Sequence, residues 1–299
     1  MNLTRVRTEL RDLVECVVVP SLALVLPWRW AYWVFDQILK RTSLYIEGVD
    51  QAFDVATKVT TFPVNASVWK HRMRMTRLLD AADYYLSKWR TSSWIRGFTQ
   101  VEGEWLKAGQ QFVALTFHWG AGMFALEEMK RSGVCAHMLV NAANPEHFRG
   151  RYARFHYIRH RIKRIEQLLA RPTLDAMGSL RPIVAALRGG TSIVAVIDVP
   201  TPADASAQAV TLMEKTVWVP RALMRAAIDN QLPVLVYLSE INFNDGTRHI
   251  RIHAISPQTN VETLAKAVFK YLDKALEQEP AAWHLWSEWH RFHQPTNTK

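Results

Sequence analysis

The chain has 299 residues, enough to bury the core of one large α/β unit, and its 37 Lys plus Arg against 27 Asp plus Glu leave a formal charge of +10. That balance favours anionic partners, whether a phospholipid surface, nucleic acid or an acidic carrier protein. The two cysteines, Cys16 and Cys135, lie far apart in dissimilar contexts, which argues against a disulfide framework or a cysteine metal site and leaves a reduced compartment as the expectation.

The N-terminal stretch "VECVVVPSLALVLPWRWAYWVF" is the most apolar of the chain. Thirteen uncharged residues separate Glu15 from Arg29, fewer than the roughly 17 to 25 that a spanning helix needs. Pro20 and Pro27 interrupt them, so a transmembrane span is not expected. Acidic Glu9, Asp12 and Glu15 in the basic flank fit a signal peptide poorly. The stretch reads as an interfacial helix that lays its apolar side and Trp28, Trp30 and Trp33 into one leaflet, with a buried helical hairpin as the alternative. Seven of the twelve Trp (Trp28, Trp30, Trp33, Trp69, Trp283, Trp286 and Trp289) sit close in sequence to Arg, Lys or His, a composition shared by membrane interfaces and packing clusters.

Residues 67–96 read as a basic helix with Met73, Leu78, Ala81, Ala82, Tyr85 and Leu86 on its core face and Lys70, Arg72, Arg74 and Arg77 solvated. Strand and helix then alternate: "QFVALTF", a helix over 120–131, "CAHMLVN", a basic helix over 146–169, a helix over 180–188, "TSIVAVID", a helix over 218–229, "PVLVYLSEI", "TRHIRIHAI" and a helix over 260–277. Such alternation predicts an α/β fold, a mostly parallel central sheet flanked by helices. The expected division is an N-terminal helical membrane-associating region over 1–66 and an α/β domain over 67–299.

In open α/β sheets ligands gather beyond the carboxyl ends of the strands. His118 follows "FVALTF" and Asp198 follows "SIVAVI", so both fall at such ends. Gly120 and Gly122 let backbone approach a ligand closely and leave amides at a helix start, where a developing oxyanion could be held. Other chemistries are poorly served. There is no phosphate-binding glycine loop, no H-E-x-x-H or paired-cysteine metal signature and no G-x-S-x-G elbow. The basic helix has no recognised nucleic-acid module beside it, so nucleic acid is not an expected partner.

Four segments in order, "VEGEWLKAGQQFVALTFHWGAGMFALE", "NAANP", "RPIVAALRGGTSIVAVIDVP" and "WHLWSEWHRF", resemble the bacterial lipid A biosynthesis acyltransferases, the lauroyl and myristoyl transferase family. "LALVLPWRWAYWVF" is similar to that family's N-terminal membrane-associated helix. The resemblance implies transfer of a fatty acyl group from an acyl carrier protein or coenzyme A thioester to an acceptor hydroxyl or amine. It also implies a place on the cytoplasmic face of the bacterial inner membrane, with no metal or bound cofactor. The alternative on the same fold is a non-catalytic lipid-binding or scaffold protein.

The family's catalytic motif is a His followed five positions later by Glu or Asp, in which the imidazole takes the acceptor's proton and the carboxylate orients it. His118 matches the histidine, but the carboxylate position is Met123, which cannot accept a useful hydrogen bond from an imidazole. Three accounts stand open: Glu127, one turn further on, substitutes; Asp198, matching the family's later strand-end acid, orients His118 from across the site; or the ordinary chemistry is lost or supported by another group. A weakened base suits an acceptor more acidic than a sugar hydroxyl, such as a phenolic specialised metabolite. The resemblance further implies an anion or oxyanion role for Arg154, beside the family's basic position at 155. It also implies a substrate-side position for Asn144, and packing near the site for "EWHRF".

Overall fold

Strands covered on both faces must be apolar at consecutive positions, and "VALT" and "SIVAV" meet that demand with almost every residue buried. The computed structural model describes residues 3–60 and 65–293. The outer ends of the expected regions, residues 1–2 and 294–299, lie outside the described residues, as do 61–64.

Helix α1 (Leu3–Leu13) runs through a π-helical stretch (Val14–Val18) into α2 (Val19–Val25), and α3 (Trp28–Arg41), α4 (Val49–Val59), α5 (Ala66–Trp89) and α6 (Ser92–Arg96) follow. The α/β part contributes β1 (Thr99–Glu102), β2 (Val113–Thr116), α7 (Met123–Arg131) and β3 (Ala136–Val140). A 3₁₀ turn (Pro145–Phe148), α8 (Tyr152–Leu169), β4 (Leu174–Asp175), α9 (Arg181–Arg188) and β5 (Ser192–Val196) come next. The chain closes with β6 (Ala207–Leu212), β7 (Lys215–Pro220), α10 (Ala222–Asp229), β8 (Val234–Ile241), β9 (Arg248–Ile255), α11 (Val261–Gln278) and two 3₁₀ segments (Pro280–Ala282 and Trp286–His293). Seven strands form one sheet in the order β1-β9-β8-β2-β5-β3-β4. Every pairing in it is parallel except β8 with β9. The expected mostly parallel sheet flanked by helices is therefore present.

Period-two alternation divides the core into two layers. Val113, Leu115, Phe117 and Trp119 point to one side, where α11 and the C-terminal tryptophans pack. Ala114 and, beyond the β2 loop, Ala121 and Met123 join the other side, built from α5, α7, α8 and the N-terminal helices. The second layer includes Val19, Ala23, Trp28, Phe35 and Leu39, so the N-terminal helices share a core with the sheet. Their outer side keeps Leu3, Val6, Leu10, Leu13, Val18, Val25, Trp30 and Trp33 exposed. No helix among the described residues is long and apolar enough to cross a membrane.

Four local expectations are corrected. Arg72, Arg74 and Arg77 are half-buried rather than solvated: Arg74 donates to the carbonyls of Leu39, Thr42 and Leu44, closing the C-terminus of α3, and Arg77 donates to those of Tyr45 and Glu47. The helix expected from 120 starts at Met123 because Gly120 is left-handed (φ +57°). The helix expected from 218 starts at Ala222, because residues 207–220 form an antiparallel hairpin. Its turn puts Met213 and Glu214 at positive φ without the usual Asn or Gly, which removes the turn signal from the sequence. The basic helix begins at Tyr152 rather than 146, after the separate turn at 145–148.

Candidate active site

Thr116 of β2 pairs in register with Val196 of β5. Two residues beyond each, on the same pleat phase, stand His118 and Asp198, and parallel pairing makes them neighbours. His118 Nδ1 lies 2.9 Å from Asp198 Oδ1, and the His118 backbone N–H donates to both carboxylate oxygens at 2.9 and 3.0 Å. A carboxylate only accepts, so the neutral ring carries its proton on Nδ1 and keeps the Nε2 lone pair for the cavity. Asp198 is wholly buried, whereas the His118 side chain is 40 % exposed. Burial pushes the His118 pKa down, but the charge and hydrogen bond of Asp198, with a contribution from Asp80, outweigh it and leave the pKa raised.

The loop after β2 is held on several sides. The Trp119 N–H donates to Phe117 O at 2.7 Å, folding the chain tightly around His118. The Gly120 N–H donates to Ala282 O, the Ala121 N–H to Ser239 O, and the Ser239 hydroxyl to Ala121 O. A Cβ on Gly120 would lie 2.0 Å from Ser239 O, so both φ and close approach demand glycine there. Because the Gly120 amide is bonded to Ala282, it is not the free oxyanion donor expected of it, and the Gly122 N–H is spent on Asp80 Oδ1 at 3.4 Å.

A cavity of about 250 Å³ opens at His118. Phe117, Met123, Leu126, Met138, Ile165, Val196 and Tyr237 give it apolar walls, and Asp80, Arg161 and His284 supply polar groups. Arg161 of α8 makes a two-pronged bond to Asp80 of α5 and also donates to the Tyr157 hydroxyl. Burial raises the Asp80 pKa, but Arg161 more than offsets it and the carboxyl sits below the ordinary range. His284 is the opposite of His118: burial dominates and holds its pKa below the usual imidazole value, so it stays neutral. A larger groove of about 1020 Å³ runs between α3, α5 and the turn joining β8 to β9. His118 does not line it, and its charges are largely paired internally, as in Asp36 with Lys40 and His71, and Asp50 with Lys70.

Of the sequence-derived candidates, His118, Asp198, Gly120 and Gly122 meet at this place, while Glu127, Arg154 and Asn144 do not line the cavity. Glu127, one turn beyond Met123 along α7, is buried in an ion pair with Arg164 at 2.6 Å, and Arg131 pairs with Glu128 instead. Glu127 therefore does not orient His118. Arg154 faces Glu47 at 3.8 Å. The exposed Asn144 caps the turn at 145–148 by accepting the Glu146 N–H. Met123, where the resemblance leads one to expect a carboxylate, is 1 % exposed and forms part of the apolar wall.

Asp80, Arg161, Trp283 and His284 are site residues that sequence reasoning does not single out. "LLDAADYYL" does carry a signal, since Asp80 and Asp83 one turn apart in an apolar run imply buried, paired acids. Asp83 indeed pairs with Arg248, both side chains fully buried. Arg161 lies two helical turns beyond Arg154, so the sequence points to the right face of α8 but to the wrong cation on it. Among the described residues no group of His, Cys, Asp and Glu could hold a metal ion. The chain matches no family model and no curated protein.

Proposed function

We propose that the protein transfers a fatty acyl group from a carrier-protein or coenzyme A thioester to an acceptor hydroxyl or amine, with His118 as the general base. The observation that carries this is the buried Asp198 bonded to His118 Nδ1 at the mouth of an apolar cavity. Asp198 thus takes the orienting part that Met123 cannot. The resemblance of "FHWGAGMF" and its neighbouring segments to the lipid A acyltransferases supplies the reaction class.

In the proposed step His118 Nε2 takes the acceptor proton as the acceptor atom bonds to the thioester carbonyl carbon. The C–S bond then breaks, and the imidazolium returns the proton to the departing thiolate. Asp198 stabilises the imidazolium between the two transfers. Arg161 and the N-terminus of α7 are both held on the Asp80 carboxylate, and together the three form the polar end of the cavity. The acyl chain lies along Met123, Leu126, Met138 and Ile165.

The exposed apolar side of α1 to α3 is proposed to rest on phospholipid at the cytoplasmic face of a bacterial inner membrane. The +10 charge favours an anionic surface and an acidic carrier protein. The test is incubation of the parent and His118→Ala proteins with acyl thioesters, offering phenolic and lipid acceptors in parallel. Thiol release that depends on His118 supports acyl transfer, and phenol-only transfer supports a specialised-metabolite acceptor. Equal release by the two proteins leaves a lipid-binding pocket instead.

A further inference from the structure

The C-terminal segment "AAWH" crosses directly over the site. The Gly120 N–H donates to Ala282 O at 2.9 Å, the His284 N–H donates to His118 O at 2.9 Å, and His284 Nε2 donates to Gly120 O at 2.8 Å. Trp119 and Trp283 form an isolated antiparallel bridge between them. From this strap the Trp283 indole N–H reaches Asp198 Oδ2 at 2.7 Å. Asp198 thus has one oxygen committed to the His118 ring, the other to Trp283, and both to the His118 backbone N–H.

Without the indole, Asp198 would be held by the His118 ring and backbone alone, and the terminal torsion of a carboxylate is broad and roughly two-fold. The Trp283 bond restrains that torsion and gives the buried Oδ2 a second donor beside the His118 backbone N–H. Trp283 is itself immobilised, with no exposed surface, edge-on to Trp286 at 4.9 Å and to Trp289 at 6.0 Å between ring centroids. The tryptophan cluster is therefore more than filling, because one member aims a donor at the acid of the dyad.

We infer that Trp283 is a positioning residue: its indole N–H fixes the rotamer of Asp198, and through Asp198 the Nδ1–H tautomer of His118. The catalytic consequence rests on the acyl-transfer reading above; the tautomer itself does not.

Trp283→Phe keeps the apolar ring and deletes the donor. Trp289→Phe is the packing control, since Trp289 lies in the same cluster and is not bonded to Asp198. Imidazole nitrogen NMR should find the neutral His118 of the parent and of Trp289→Phe protonated on Nδ1, and that of Trp283→Phe divided between the two tautomers. Thiol release from dodecanoyl-coenzyme A should fall about 10-fold in Trp283→Phe, the size expected for one hydrogen bond to a charged group, and much less in Trp289→Phe. An unchanged tautomer in Trp283→Phe, or equal losses in both variants, overturns the inference. If the parent releases no thiol beyond His118→Ala, the acyl-transfer reading fails, and the tautomer spectra still decide the role of Trp283.

Discussion

At the scale of single residues, the site turns on which carboxylate reaches His118. Asp198 does so at 2.9 Å, so on the proposed acyl-transfer reading Asp198→Asn should lower the turnover of thioester by about 10²- to 10⁴-fold, the usual contribution of a well-supported base. The pH profile gives an independent check with a fixed sign. As the proposed base His118 would work only when neutral, and Asp198 raises its pKa, so the acid limb of kcat/KM in the parent should lie above the ordinary histidine value of 6.5. Removing the Asp198 charge leaves burial dominant, which favours the neutral ring, so the limb of Asp198→Asn should move to lower pH. A limb that stays in place excludes the dyad as the titrating unit. Glu127→Gln makes the contrasting case. It loses a charged partner of Arg164, so stability should fall by about 1–3 kcal/mol in denaturant titration while the acid limb does not move.

At the scale of elements, the loop between β2 and α7 sets the geometry, and its two glycines are not equivalent. Gly120 is left-handed with no room for a Cβ, whereas Gly122 has ordinary φ and a Cβ there would meet nothing within 4 Å. Gly120→Ala should cost at least about 1–3 kcal/mol of stability, and Gly122→Ala about 0.5 kcal/mol or less, read as shifts in the unfolding midpoint. This contrast also marks how much the sequence could reveal. Continuous apolar runs ending in His118 and Asp198 locate the sheet centre and the place where a ligand would sit, because those depend on local pattern alone. The pairing of β2 with β5 depends on strand order, so without the register the contact between His118 and Asp198 is only one of three open accounts. Glu127 and Asp80 show the same limit. Both are helical acids near the right strands, and only the packing of α8 decides that Arg164 takes one and Arg161 the other. The β6–β7 hairpin is hidden for a local reason, the absence of Gly or Asn at its positive-φ turn.

For the whole molecule, the question is what covers the outer side of the N-terminal helices. Leu3, Val6, Leu10 and Leu13 recur at spacings of three and four, which places all four on one exposed face of α1. The opposite face is tied down: Asp12 makes a two-pronged bond to Arg151, and the Glu9 carboxylate accepts the Tyr152 and Ala153 N–H groups at the start of α8. α1 is thus fixed by its polar side to the helix that carries Arg161, with its apolar side outward. Each Leu or Val taken fully out of water is worth about 1.5–3 kcal/mol, and Trp30 and Trp33 extend the surface along α3. On the proposed lipid-facing reading, Leu10→Glu with Leu13→Glu should reduce co-sedimentation with anionic phospholipid vesicles at least about 10-fold, since each change removes apolar burial and adds a repelled charge. Because these exposed side chains do not line the cavity, thiol release from a soluble thioester should be unaffected. Salt should weaken the parent's binding without abolishing it, because screening acts on the net positive charge and not on apolar insertion. Complete release by salt would make the attachment purely electrostatic, and undiminished binding by the double variant would remove α1 from the lipid surface.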